Sequence, residues 1–410
     1  MSKKNNGPIA REYPFTNIFA DANGVSSDRA AAPIIIAWKL EDTALQSGWQ
    51  IGHSLGTESE LIAQFGVSRD TLREAIRVME ARGSMQMKRG RLGGLRLLRP
   101  CIDDVAVALA AYLQASGCGA AELAETASVA SPVLEMLDDE NLITSLFRQT
   151  MAAFHARTAP GTRHSGRAGV IAAQMTQDQW PIPEHGIRLG DEAELCMKFN
   201  CTRATLREAL HLLGDLAMIK VQRGRGGGSS LIRPTPDATV RRIFGLIAAR
   251  HFTMREMIPS LWALNLIRFR LAVQRLRGLD DATRHQHCDM LASNWERWPE
   301  PKRWYNMQRN FSRIADSKII SAMSDSVTSY LSRLGPTGAK YDEIDASLRE
   351  PGNALIQALR REDYTEAERM HLYIHDQIAS FLSAEIVPRK RPGALPLDPA
   401  GAVVRSTPPA

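Results

Sequence analysis

The sequence predicts a mainly α-helical protein: two copies of a unit of three helices plus a β-hairpin, then an all-helical C-terminal bundle. Three observations carry this expectation. The segment Ser68-Arg69-Asp70-Thr71-Leu72-Arg73-Glu74-Ala75 recurs 134 residues later as Thr202-Arg203-Ala204-Thr205-Leu206-Arg207-Glu208-Ala209. Each copy is followed by a basic, glycine-rich stretch, Lys88-Arg89-Gly90-Arg91-Leu92-Gly93-Gly94 in the first and Arg223-Gly224-Arg225-Gly226-Gly227-Gly228 in the second. Beyond residue 237, apolar residues fall at helical spacing over Met254 to Leu276, Trp304 to Met323 and Asn353 to Phe381.

Taken in order, residues 1–30 read as a disordered N-terminus and 31–100 as the first unit. Thr57 is placed to cap a short helix, Glu58 to Phe65, whose apolar face is Leu61, Ile62 and Phe65. Gly66 supplies the turn, because glycine accepts a left-handed backbone without a steric penalty. Ser68 then caps a second helix to about Arg82, with Leu72, Ala75, Ile76 and Met79 inward and Arg69, Asp70, Arg73 and Arg77 toward solvent. Gly83 ends it, and Met85 to Arg89 and Leu95 to Leu98 read as two short strands around a glycine tip. Such a unit is a winged helix-turn-helix, whose second helix enters the major groove leading end first.

Residues 101–165 read as a helical connector and linker, with a Gly-, Arg-, His- and Thr-rich stretch at 156–169. The second unit, 166–234, repeats the logic: Glu192, Leu195 and Phe199 stand where the first has Glu58, Leu61 and Phe65. Asn200 replaces the turn glycine, and Thr202 replaces the cap Ser68. Trp49 precedes Glu58 by nine residues but Trp180 precedes Glu192 by twelve, so the second entry loop carries a three-residue insertion. Residues 237–384 form the bundle, and 385–410, rich in proline with the run Arg389-Lys390-Arg391, read as a disordered tail.

Charge follows the duplication. The window from Ser68 to Arg96 holds eight Arg and Lys against three acids, and Thr202 to Ser230 holds five against two. Against a net charge of +6 for the whole chain, positive charge is concentrated on the repeated motif, as a polyanion-binding surface requires. Arginines on the leading turn and the glycine tip would meet phosphates and base edges. Asp70 could accept from a cytosine, whereas its equivalent Ala204 offers only an apolar contact, so unequal half-sites are expected. Two heads in one chain are expected to occupy adjacent half-sites about one DNA turn apart without dimerising.

These motifs resemble the DNA-binding domain of GntR-superfamily transcriptional regulators, closely over Gly48 to Leu97 and less so over Trp180 to Ile232. The resemblance implies DNA contacts from Ser68, Arg69, Thr71, Arg73, Arg89 and Gly90, with Arg91 beside them at the tip. In the second copy it implies Thr202, Arg203, Thr205, Arg207, Arg223 and Gly224, with Arg225 beside them. Many relatives carry an Arg between the two glutamates of the first helix, where this chain has Ser59 and Ala193. One expected base contact is thereby missing from both heads.

Phe252 to Ile258 and Ala358 to Asp363 resemble the FadR C-terminal (FCD) domain, which implies an effector-binding, homodimerising helical bundle. Many such domains hold a metal through one Asp and three His. Here Gln308 falls at the Asp position, and Ser312, Gly352 and Ile374 at the His positions, with His375 one residue away. No structural metal is therefore expected. His371 and His375, four residues apart, read as a solvated or packed pair, and His285 and His287 as surface residues.

The rest of the chain sets bounds. Cys101, Cys118, Cys196, Cys201 and Cys288 are odd in number with no C-x-x-C pair, which fits reduced thiols. No stretch approaches the ~18 apolar residues of a membrane span. Met1 to Asn6 lack the apolar run of a secretory signal, so a cytoplasmic, nucleoid-associated location is expected. The expected function is sequence-specific regulation of transcription on a double-stranded DNA operator, tuned by a small-molecule effector in the bundle. A constitutive architectural protein that bridges DNA without a ligand is the alternative. An enzyme is not expected: the sequence shows no nucleophile–base pair and no cofactor constellation, and the roughly 150 residues after the second glycine tip are too few for an aminotransferase-like domain.

Overall fold

The structure, a computed structural model, describes residues 32–90, 93–157, 166–176, 179–222, 227–297, 303–334 and 340–384. The two ends (1–30 and 385–410), most of the stretch read as a linker, and Arg91, Arg223, Gly224 and Arg225 at the glycine tips lie outside these residues. The described residues are mainly helical, in keeping with the periodicity of the sequence.

The first unit comprises α1 (Ala32–Gln46), α2 (Glu58–Phe65), α3 (Arg69–Ala81), β1 (Met85–Lys88) and β2 (Gly94–Leu97). Thr57 caps α2 in a reciprocal box: its hydroxyl accepts from the Glu60 N–H at 3.3 Å, and Glu60 Oε2 accepts from the Thr57 N–H at 2.7 Å. Gly66 closes α2 with φ 63°. Ser68 Oγ accepts from the Thr71 N–H and opens α3. β1 and β2 pair antiparallel from Met85↔Leu97 to Lys88↔Gly94, with Ser54 bridging to Arg96 on the other edge. At Gly94, with φ 136°, a Cβ would lie 2.4 Å from Ser54 Oγ and 2.8 Å from the Gly56 carbonyl oxygen, so only glycine fits there. Leu40, Trp49, Leu61, Leu72, Met79, Met85, Leu95 and Leu97 fill the core, and Trp49 Nε1 donates to the Leu98 carbonyl.

The second unit repeats the order: α7 (Gly166–Thr176), β3 (Ile187–Gly190), α8 (Glu192–Lys198), α9 (Arg203–Asp215), β4 (Ile219–Gln222) and β5 (Gly228–Leu231). Its strands form a three-stranded antiparallel sheet in the order β3-β5-β4. β3 is the full-strand version of the Ser54 bridge, a third strand where the sequence predicts only a hairpin. Asp191 caps α8 with its own capping box, Asn200 makes the turn at φ 45°, and Thr202 caps α9. This core gathers Ala168, Ile171, Ala172, Met175, Leu195, Leu206, Leu213, Met218 and Leu231.

The helices of the third layer are α4 (Ile102–Ala115), α5 (Ala120–Leu134), α6 (Leu142–His155), α10 (Asp237–Ala248), α11 (Met254–Arg277), α12 (Asp281–Arg297), α13 (Arg303–Ala315), α14 (Lys318–Leu334), α15 (Lys340–Arg360) and α16 (Tyr364–Ala384). Residues from α4, α5 and α6 share one continuous core with those of the C-terminal helices. α4 packs on α10, and α5 on α11. Those pairs are equivalent elements of the two copies, because each follows its own hairpin at a similar distance.

Candidate nucleic-acid interface

In both units the leading turn of the second helix is open to solvent and charged. The side chains of Arg69 and Arg73 are 64% and 54% exposed, and those of Arg203 and Arg207 are 77% and 59% exposed. Each pair converges on the first residue of the preceding helix. Glu58 lies 3.3 Å from Arg69 and accepts from Arg73 Nε at 2.9 Å, while Glu192 lies 3.9 Å from Arg203 and 3.5 Å from Arg207. Such exposed pairs contribute little to folding. Their consequence is geometric: one carboxylate gathers two guanidinium groups over the leading turn, ready to be exchanged for phosphate oxygens or a guanine edge.

Thr71 and Thr205 play a double part. Thr71 Oγ1 lies 2.8 Å from Ser68 Oγ, and Thr205 Oγ1 lies 2.9 Å from Thr202 Oγ. One hydroxyl hydrogen serves each pair, which leaves the other free to reach a phosphate. Asp70 and Ala204 are both exposed, as are Ser59 and Ala193. At the first tip Arg89 and Gly90 are exposed, and Gly90 has φ 109°.

Sequence reasoning did not anticipate that the two second helices pack against each other. α3 and α9 lie side by side, with Glu74, Arg77 and Val78 facing Ala204, Arg207, Glu208, His211 and Leu212 across a crevice. Glu74 is equivalent to Glu208, Arg77 to His211 and Val78 to Leu212, so equivalent residues of the two copies line the two sides of the crevice. Glu74 Oε2 lies 3.7 Å from His211 Nε2. Burial pushes the His211 pKa below its usual value, and Glu74 only partly opposes this. Packed helix axes lie about 8–10 Å apart. Glu74 stands five residues from the start of α3, about 7.5 Å along the axis. His211 stands eight residues from the start of α9, about 12 Å along its axis, so the two leading ends lie at most about 30 Å apart.

Below the crevice lies a buried ionic cluster that the sequence did not mark. Arg82, just past the end of α3, donates through Nε to Asp215 Oδ2 at 2.8 Å and through Nη1 to Glu41 Oε1 at 3.1 Å. Arg242 of α10 also donates to Asp215, and Arg241 lies 3.5 Å from Glu41. The Arg82 and Asp215 side chains are 3% and 1% exposed. Burial acts against both charges. Arg82 and Arg242 nevertheless hold the Asp215 carboxyl below the usual carboxylate range, and Asp215 with Glu41 holds Arg82 above its own. The available signal was a charge inside an apolar stripe: Glu41 beside Leu40 and Ala44, and Asp215 between Leu213 and Leu216.

Residues 36–91, from α1 through the first hairpin to its tip, match the model of the bacterial regulatory proteins of the gntR family. The chain carries a GntR-family DNA-binding domain. A search of curated proteins finds no match to it. All of the expected contact residues of the first unit, Ser68, Arg69, Thr71, Arg73, Arg89, Gly90 and Arg91, lie inside the GntR match, and the exposed arginines form its solvent-facing edge.

In the C-terminal helices, the positions compared with a metal site are occupied by other contacts. His371 and His375 are buried, at 0% and 2% exposure. Gln308 Nε2 lies 3.1 Å from His371 Nε2, and Asn265 Nδ2 lies 3.1 Å from His375 Nε2, so each imidazole accepts from an amide. Burial holds His371 well below its usual pKa and brings His375 to about 4, so both rings are neutral. His371 stacks on Phe269 with 4.5 Å between ring centres. At Gly352 a Cβ would sit 2.0 Å from Trp295 Cζ2; the indole ring fills the space into which a side chain there would project. His285 is exposed and His287 half-buried. Among the described residues no helix is long and apolar enough to cross a membrane.

Proposed function

We propose that the chain is a sequence-specific transcriptional regulator that reads double-stranded DNA with two winged heads, the GntR-family domain and the unit built on α7, α8 and α9. One observation carries this reading: the leading-turn fork of two arginines on one carboxylate is built twice, as Glu58 with Arg69 and Arg73 and as Glu192 with Arg203 and Arg207. Base readout comes from Arg69, Asp70 and Arg73 in the first head and from Arg203 and Arg207 in the second. Ser68, Thr71, Thr202, Thr205 and Arg89 position the backbone. The operator is asymmetric, because Asp70 and Ala204 present different groups at the same place, and its two half-sites are adjacent, about one DNA turn apart.

A small-molecule effector bound in the C-terminal helices is part of the proposal. Supporting it is a buried polar cluster between α11, α13 and α16: Nε of Arg268, Oε1 of Gln308 and Nδ1 of His371 have no hydrogen-bond partner among the described groups, and Arg268 Nη2 lies 4.0 Å from Asp325. The experiment is selection of bound genomic DNA by the intact protein beside Arg73→Ala and Arg207→Ala. Each variant is expected to relax a different half of the selected site. An unchanged site with Arg207→Ala removes the second head from the reading function. Affinity measured across a metabolite panel separates an effector-tuned regulator from a constitutive DNA-bridging protein; no response to any compound favours the latter.

A further inference from the structure

The contact between the two copies is built like a subunit interface, with α3 on α9, α4 on α10 and α5 on α11, each pair being equivalent elements. In a true twofold interface every contact is made twice, once on each side of the axis. The ionic cluster breaks that rule. Position 81 in the first copy is Ala81 and in the second Asp215; position 82 is Arg82 and in the second Leu216. The contact from Arg82 to Asp215 therefore has as its mirror image Ala81 with Leu216. Aligning Trp49 with Trp180 makes Ala172 the equivalent of Glu41, and the matching hairpin-to-helix distance makes Val107 the equivalent of Arg242. Arg82, Asp215, Glu41 and Arg242 thus all have apolar equivalents. Ala172 and Leu216 are buried in the second core, and Ala81 packs against it.

The consequence is selectivity. Pairing two first copies would set Arg82 against another Ala81, and pairing two second copies would set Asp215 against another Leu216. Each removes the contact between copies and leaves Arg82 with Glu41 alone or Asp215 with Arg242 alone, so the buried charges favour the observed pairing over either like pairing. The remaining exposed large apolar residues, Ile51, Met136, Val170, Met197, Val221 and Tyr373, fall on six separate segments of the described chain. We infer that the chain is a built-in heterodimer: each copy's pairing surface accepts the other copy of the same chain, and the protein engages DNA as one chain on one duplex. On this inference, internal pairing stands in place of the homodimer that the family resemblance implies. The DNA half of the inference rests on the proposed function; the pairing half does not.

Sedimentation equilibrium of the full chain, free and on its selected duplex, tests it. The expected result is a particle of one 45.3 kDa chain when free, and one chain per duplex when bound. A two-chain particle in either state, including one that exchanges heads between chains, overturns the inference. Asp215→Asn, near-isosteric and checked for an unchanged circular-dichroism spectrum, supplies a second readout. Wild type should lose at least about tenfold in affinity, equal to about 1.4 kcal/mol, when base pairs are inserted between the half-sites, and the variant should lose less. Equal losses in both would show that the cluster does not fix the pairing. A single-chain particle that binds no DNA would contradict the proposed function and leave the internal pairing standing.

Discussion

Replacing Asp215 by Ala should destabilise the protein more than replacing Arg82 by Leu, although the two residues form the same ion pair. The Asp215 carboxylate is 1% exposed and is shared by Arg82, at 3%, and Arg242, at 12%. Its removal leaves two buried guanidinium groups, of which only Arg82 keeps a bonded carboxylate, Glu41 at 3.1 Å. Breaking a buried pair in this manner costs about 3–5 kcal/mol. Arg82→Leu leaves Asp215 bonded to Arg242 and Glu41 beside Arg241, and it installs the residue already accommodated at the equivalent Leu216. Its cost should fall to about 1–3 kcal/mol, the range for losing one charged hydrogen-bond partner. Urea unfolding at pH 7, followed by circular dichroism and tryptophan fluorescence, gives both values. An Arg82→Leu loss equal to or larger than that of Asp215→Ala would refute the view of Asp215 as the shared centre. Acid titration adds a sign: because the folded Asp215 pKa lies below its unfolded value near 3.8, its contribution is complete at neutral pH and is lost only as pH falls below about 3.8.

Other outcomes are equally specific. Arg89→Ala should weaken DNA binding uniformly across sequences and lower the slope of log affinity against log salt by about 0.9, one phosphate contact; an unchanged slope would place Arg89 away from the backbone. Gly94→Ala should cost about 1–3 kcal/mol through the left-handed backbone and the Ser54 contact, seen as lower urea resistance and weaker DNA binding. Gly352→Ala should also destabilise, by about 1–3 kcal/mol of overpacking against Trp295, with a changed near-ultraviolet tryptophan signal as its signature. His371 and His375 are neutral when folded, with the latter near 4, whereas unfolded histidines take protons below about 6.5. Stability should therefore be flat above pH 7 and fall between pH 6.5 and 4 by up to about 1.4 kcal/mol per pH unit for each ring; a wild-type urea midpoint unchanged between pH 7.5 and 5 would contradict this.

The sequence made the local grammar of the GntR domain readable. Thr57, Gly66 and Ser68 act through neighbours three or four residues away, so their roles follow from spacing alone. Asn200 and Thr202 could be read in the same way in the second unit. β3 escaped because four residues with Ile187 and Leu189 only half-buried show too little alternation to mark a strand. The contact of α3 with α9 escaped for a different reason. Val78 fits a solvent-edge residue of an isolated head equally well, and the crevice it lines with Leu212 is formed by a segment far along the chain. Asp215 announced a partner by lying among leucines, but nothing local points to Arg82, 133 residues away. At Gly352 the missing His was legible, while the Trp295 ring that occupies its space became visible only in three dimensions.

Internal pairing also changes what a single nucleotide change in the gene can do. In a regulator made of two identical subunits, every substitution in a recognition helix is made twice, and both halves of the site it reads must change together. Here Asp70 and Ala204 already differ at the same structural position while Arg73 and Arg207 remain alike. A substitution in α3 leaves α9 untouched, so, on the function proposed above, the two heads would be free to drift apart one base pair at a time on a site with no obligation to be a palindrome.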